Sequence, residues 1–286
     1  MIPQLQIEVL RLRTRLDLYV VLLGFTVLVF LRQALAVSAI GSIEMLPGSE
    51  VPPELLLDQA RQLAGYTLPA SIGTVLTDSF PFLAAISGFL ACWTLGSEFT
   101  SGTVRTALAT NPRRSAFFLA KLAGSFALAI AALMGTVIAG FAIPLVLPTL
   151  NVHLEHPPVA MSAGVVVFIG VAAMVTFLVV SLATLLTVLL RSAVVALIAF
   201  VATLLVASLS GSLGLAEPWA ELLPFRASLT LLRATAPPGT LLSSSGGVND
   251  TIDSNTVVIA IATLTVWTIG LAFAGFAVFR SRDVTE

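Results

Sequence analysis

Leu95 to Lys121 reads LGSEFTSGTVRTALATNPRRSAFFLAK, a polar island between two long apolar runs, and its reading decides the fold. It combines acid, base, glycine and proline with a helical pattern, and it ends on Lys121, the only lysine in the chain. Pro112 disfavours the α conformation at Asn111. The spacing therefore predicts a short helix from about Ser97 or Phe99 to Thr110, with a new helix restarting near Arg113. Glu98 is expected near the N-terminus of that short helix, where the dipole favours a carboxylate. Gly102 is expected to leave room for a close approach.

Outward from the island the chain is almost continuously apolar. With 57% hydrophobic and 10% charged residues and a mean hydropathy of +1.03, it is not an ordinary soluble domain. Crossing a hydrocarbon core of about 30 Å takes about 20 apolar helical residues. Six stretches qualify: 17–39, 72–95, 116–147, 161–190, 193–213 and 257–279. The runs lack the alternating period of barrel strands, so an all-α membrane architecture is expected. Pro144 is the expected break in the third span. The first apolar run has membrane length and no small-residue cleavage site after it, so it reads as a retained span rather than a secretory signal. Cys92, the single cysteine, has no partner for an intrachain disulfide.

Basic residues set the expected topology. With the N-terminus inside, Arg11, Arg13, Arg15, Arg105, Arg113, Arg114, Lys121, Arg191, Arg280 and Arg282 all fall on cytoplasmic segments. Acidic residues collect on the other side, Glu44, Glu50, Glu54 and Asp58 among them. Both termini are expected in the cytoplasm of a cell with this protein in its plasma membrane. The net charge of −1 then averages two oppositely charged faces and makes no case for nucleic acid. Residues 1–16 place Leu5, Val9, Leu12 and Leu16 at helical spacing, with Gln4, Glu8, Arg11 and Arg15 on another face. This predicts an interfacial helix whose leucines enter the membrane lipid and whose arginines meet anionic headgroups. The outer loop 214–256 begins helix-prone, with Trp219, Leu222, Leu223 and Phe225 suited to an interfacial or re-entrant element, and continues as a Ser/Gly-rich link.

Glu98, Gly102, Thr103, Arg105, the Asn111-Pro112-Arg113 turn and Lys121 resemble the E-x-x-x-G-T-x-R, N/R-P-x-R and K pattern of bacterial type-2 ABC exporter permeases. More distantly, Glu98, Ser101, Gly102, Arg105 and Lys121 are similar to the E-x-x-S-G-x-x-R stretch of the eukaryotic G subfamily. The resemblance implies that residues 97–115 form a cytoplasmic coupling element. Glu98, Phe99, Gly102, Thr103, Arg105, Leu108 and Arg113 would engage a separate ATP-binding subunit, which carries the ATP and magnesium. It further implies a second permease copy or a related permease, with a hydrophobic or amphipathic cargo moving by alternating access through a cavity lined by spans two and five. The chain cannot supply the ATPase itself. A Walker A loop needs Gly-Lys-Ser/Thr, and Lys121 stands between Ala120 and Leu122.

Ionisable residues near membrane depth are the remaining candidates. Asp78, near the outer end of span two, is placed to line a polar pathway or to pair with Arg32 of span one. Lys121 is placed to pair with Glu98, or to reach the headgroups. His153 and His156 lack HExxH spacing and suit a loop better than zinc. Asn249-Asp250-Thr251 matches a glycosylation sequon without implying a role. Two other classes stay open: an ion-coupled carrier, for which Asp78 and Pro144 speak, and an intramembrane enzyme or scaffold.

Overall fold

A computed structural model describes residues 2–41, 53–110, 114–146, 163–209, 223–241 and 254–281. All ten elements among them are α-helices: α1 (Ile2–Thr14), α2 (Leu16–Gly41), α3 (Pro53–Ala64), α4 (Ala70–Thr100), α5 (Thr103–Thr110), α6 (Arg114–Val146), α7 (Ala163–Leu190), α8 (Ala193–Leu209), α9 (Pro224–Thr235) and α10 (Ser254–Ser281). Apolar surroundings offer no water to the backbone, so each segment closes its hydrogen bonds on itself. Five helices, α2, α4, α6, α7 and α10, are long and apolar enough to cross a membrane. The expected fifth span, 193–213, is α8, 17 residues long through Leu209; positions 210–213 lie outside the described residues.

The core is built on α4, α6 and α7, while α2 and α10 lie at the periphery with most of their apolar side chains outward. Small residues set how closely the central helices pack. A Cβ on Gly140 would come 2.9 Å from Ile72 Cα, and one on Gly96 would come 2.5 Å from Ala193 Cα. Gly96 thus lets α4 pass against the turn between α7 and α8, where Arg191 takes a left-handed φ of 52°. The Ser192 hydroxyl caps the start of α8 by accepting from Val195 N–H at 3.5 Å.

Two expectations are corrected. The island does not begin a new helix at Ser97 or Phe99: α4 runs unbroken to Thr100, and only Thr103–Thr110 forms the short helix, so 97–100 belong to the span. The helix ends there because Gly102 takes φ +69°, with no described neighbour within 4 Å of where a Cβ would stand. It makes a left-handed C-terminal stop. Pro144 does not break the third span, since α6 continues through it to Val146; α4 likewise continues through Pro81.

Candidate functional site

The end of α4 carries a carboxylate where the helix dipole opposes it, because Glu98 stands in the last turn and not the first. Two cations offset this. Lys121 of α6 donates from Nζ to Glu98 Oε1 at 2.5 Å, and Arg11 of α1 donates to the same oxygen at 2.8 Å. Lys121 also pairs with Glu8 Oε2 at 2.6 Å. Two carboxylates and two cations therefore form a neutral cluster joining three helices. It is buried: side-chain exposures are 4% for Lys121, 8% for Glu8 and 7% for Glu98, with Arg11 half-exposed. Lys121 further lies 5.8 Å from the Phe117 ring centre, a cation–π contact.

Sequence reasoning anticipated Lys121 with Glu98 and missed Glu8, Arg11 and Gly124. It placed Glu8 and Arg11 on the solvent and headgroup side of α1. The structure turns Glu8 onto the bundle, while Val9 and Leu10 point away from it and Leu12 packs half-buried against the bundle near Gly124. With lipid as the expected surroundings, polar side chains gain most from partners inside the protein. Gly124, one turn beyond Lys121, makes room for this: a Cβ there would lie 3.0 Å from Glu8 Cγ. The readable signal was Glu8 with Arg11 three residues on, one face of a helix facing a lone membrane lysine. Close by, the hydroxyls of Thr94 and Ser125 share a 2.8 Å hydrogen bond between α4 and α6.

The other expected coupling residues divide. Phe99 packs edge-on to Phe279 of α10, ring centres 6.5 Å apart, and Phe279 also meets Phe117 and Phe118 of α6. Phe99 is thus part of an aromatic cluster binding α4, α6 and α10 together. The Thr103 hydroxyl donates to Glu98 O at 3.3 Å, across the break between α4 and α5. On α5, Val104 is buried and Leu108 half-buried against the same apolar cluster, whereas Thr103, Thr106 and Ala109 form its exposed stripe. Arg113, and the side chain of Arg105, lie outside the described residues.

At the other end of the bundle, Arg32 donates to the main-chain oxygen of Asp78 at 3.2 Å and lies 5.3 Å from the Phe82 ring centre. Tyr66, between α3 and α4, donates to Gln33 Oε1 at 3.3 Å. Burial first, and then the Asp78 carboxylate, push the Tyr66 hydroxyl up to about 12, with Arg32 pulling the other way. Arg32 thus meets Asp78 at its main-chain oxygen, within a group that includes Tyr66. Among the described residues no group of three or more His, Cys, Asp or Glu side chains is placed to hold a metal. His153 and His156 lie outside those residues, as do Pro112, Trp219 and the sequon at Asn249.

Apolar helices of this length around a buried ion cluster define the class: an all-α, multi-pass membrane protein. A comparison with protein-family models gives no match, and neither does one with curated protein sequences.

Proposed function

We propose that this chain is the membrane-spanning permease subunit of an ATP-driven exporter of the type-2 ABC kind, a six-span protein with both termini in the cytoplasm. It takes its energy from a separate ATPase subunit and works as a dimer with itself or a related permease. The observation that carries this reading is the Glu8–Lys121–Glu98–Arg11 cluster, which fastens α1, α4 and α6 together at the foot of α5. A push on α5 would reach α4 through the Thr103–Glu98 hydrogen bond and the other two helices through the ion pairs, because buried charges resist separation. The exposed stripe of Thr103, Thr106 and Ala109 has only small side chains, which suits seating α5 in a groove of the ATPase. Cargo of a hydrophobic or amphipathic class, moved by alternating access, follows from the resemblance.

The test is mild-detergent purification from native membranes, with partners identified by mass spectrometry. A near-stoichiometric ATPase, weakened by Ala109→Arg on the exposed stripe, is the expected result. Lys121→Met is expected to keep the partner and lose the coupling of its ATP hydrolysis to transport. Recovery of the chain without any ATPase, under conditions that preserve a known ABC complex, would overturn the reading.

A further inference from the structure

Where α1 gives way to α2, a recess of about 350 Å³ opens beside the ion cluster, walled by residues from α1, the end of α4 and the start of α5. Glu98 is already matched within the cluster, since Lys121 and Arg11 share its Oε1 and its other oxygen is buried. With Glu8 on Lys121 the four charges balance, so Arg15 on the same wall is a cation in excess. Arg15 is partly exposed and has no ion-pair partner among the described residues. Asp17, two residues on, is exposed and does not line the recess. Arg11 gives Glu98 one amino nitrogen and keeps its side chain 47% exposed. The recess therefore presents one uncompensated positive charge beside two guanidinium groups, whose forked N–H donors match phosphate oxygens.

The rest of the wall is hydroxyl. Thr14, Ser101 and Thr103 are exposed and Ser97 is partly so. Thr14 donates to the carbonyls of Leu10 and Arg11, and Ser97 to Thr94 O at 3.4 Å. Ser101 and Thr103 lie 3.1 Å apart, and both reach Glu98 O, at 3.4 and 3.3 Å. With their protons directed at the helix backbone, what these oxygens can offer a ligand is acceptor lone pairs. A ligand that satisfies the whole wall brings O–H donors together with its phosphate.

Position narrows the choice. Arg15 is the one non-helical residue between α1 and the apolar α2, so the recess sits at headgroup depth if α2 spans a bilayer. From there Leu16, Val20 and Leu23 continue along one side of α2 as exposed side chains, a track for acyl chains. We propose that the recess binds the headgroup of an anionic phosphodiester lipid that carries hydroxyls, of the phosphatidylglycerol type. Its phosphate accepts from Arg15 and from the remaining N–H groups of Arg11, and its glycerol hydroxyls donate to the oxygens of Ser101 and Thr103. The single negative charge of the lipid matches the single excess positive one. A headgroup ending in an ammonium brings a further cation to a wall that already has one in excess, and a phosphate capped by methanol leaves the hydroxyl acceptors without donors. The inference needs this end of the bundle at a membrane surface, and it does not depend on the coupling role.

The test is native mass spectrometry of the purified full chain, delipidated and titrated with dioleoyl phosphatidylglycerol, phosphatidylmethanol or phosphatidylethanolamine. The uncompensated charge predicts retention of the glycerol lipid about tenfold over the ethanolamine lipid, and the hydroxyl contacts about threefold over the methanol lipid. Arg15→Gln, outside the ion cluster, should lower retention of both anionic lipids about tenfold. Arg13→Gln removes the same charge from an exposed position off the wall and should leave retention unchanged. Ser101→Ala with Thr103→Val should erase only the preference for glycerol over methanol. Equal retention of the glycerol lipid and either of the other two by the unaltered chain would overturn the proposal, as would equal losses in the Arg13 and Arg15 variants. So would displacement by soluble glycerophosphoglycerol at equal concentration, which would show that the site takes a free phosphodiester and the acyl track contributes nothing.

Discussion

Lys121 shows why a single charge in an apolar chain carries so much weight. It touches both Glu8 and Glu98, and Arg11 completes the balance. Lys121→Met leaves two buried carboxylates facing one guanidinium, and removing one partner of a buried pair costs about 3–5 kcal/mol. We expect a clear fall in the unfolding temperature in detergent. Adding Glu8→Gln restores the charge balance and should recover much of it. If the double variant is no better than Lys121→Met, the cluster is not acting as an electrostatic unit. Tyr66 gives a second prediction. Its hydroxyl moves from an ordinary value of 10.0 up to about 12 in the folded protein. The neutral form is the one the fold favours, so its contribution is complete below pH 10 and lost as pH rises through the folded value. Tyr66→Phe should therefore flatten the alkaline loss of stability in that window, and an unchanged profile would place the sensitivity elsewhere.

Among the elements, α1 departs most from its sequence pattern. Its apolar periodicity was legible, but periodicity identifies two faces without saying which one meets protein. In water the apolar face would turn inward; here Glu8 turns inward and Val9 outward. Gly124 permits the contact, since a Cβ there crowds Glu8. Gly124→Val should lift α1 from α6 and speed tryptic cleavage at Arg11, Arg13 and Arg15. Gly24→Ala makes the control, because its site on α2 has nothing within 4 Å and alanine favours a helix. Equal cleavage in both would mean that α1 is not held by Glu8. The α4–α5 boundary was misread for a related reason: polar residues from Ser97 onward look like the start of a loop, yet Glu98 stays in the span because cations from two other helices meet it. The stop depends on the left-handed backbone at Gly102, and glycine in a sequence does not announce its φ.

At the scale of the whole molecule, the number of crossings decides where the termini lie. Five helices have the length and hydropathy to span, and α8 is shorter in its described part. If α8 also crosses, both termini share one side, and reporter fusions at Met1 and Glu286 should give the same cytoplasmic signal. Opposite signals would mean an odd number of crossings and would remove the six-span plan. Cysteine scanning can map the rest with little background, because Cys92 is the only native thiol and is buried. Basic residues from distant parts of the chain meet at one end of the bundle: Arg114 donates to Arg280 O at 3.3 Å, and Arg11 lies near Lys121 through Glu98. This gathering suits the positive-inside topology on which the six-span reading rests.

By itself, the sequence determined that the chain is helical and membrane-embedded, because backbone groups in hydrocarbon have no partners but their own and the apolar runs are long enough to demand it. It also singled out Lys121 and Glu98, each an ionisable side chain at the edge of an apolar run, while leaving open whether Lys121 meets Glu98 or the headgroups. Only the tertiary structure decided that Glu8 and Arg11 join them and that Phe99 faces Phe279. It also buried the second Glu98 oxygen with no hydrogen-bond partner among the described residues. The physical reason is the same in each case. Hydropathy is a property of a residue and its near neighbours, whereas the pairing of buried charges depends on how distant helices are rotated and how closely glycine lets them meet.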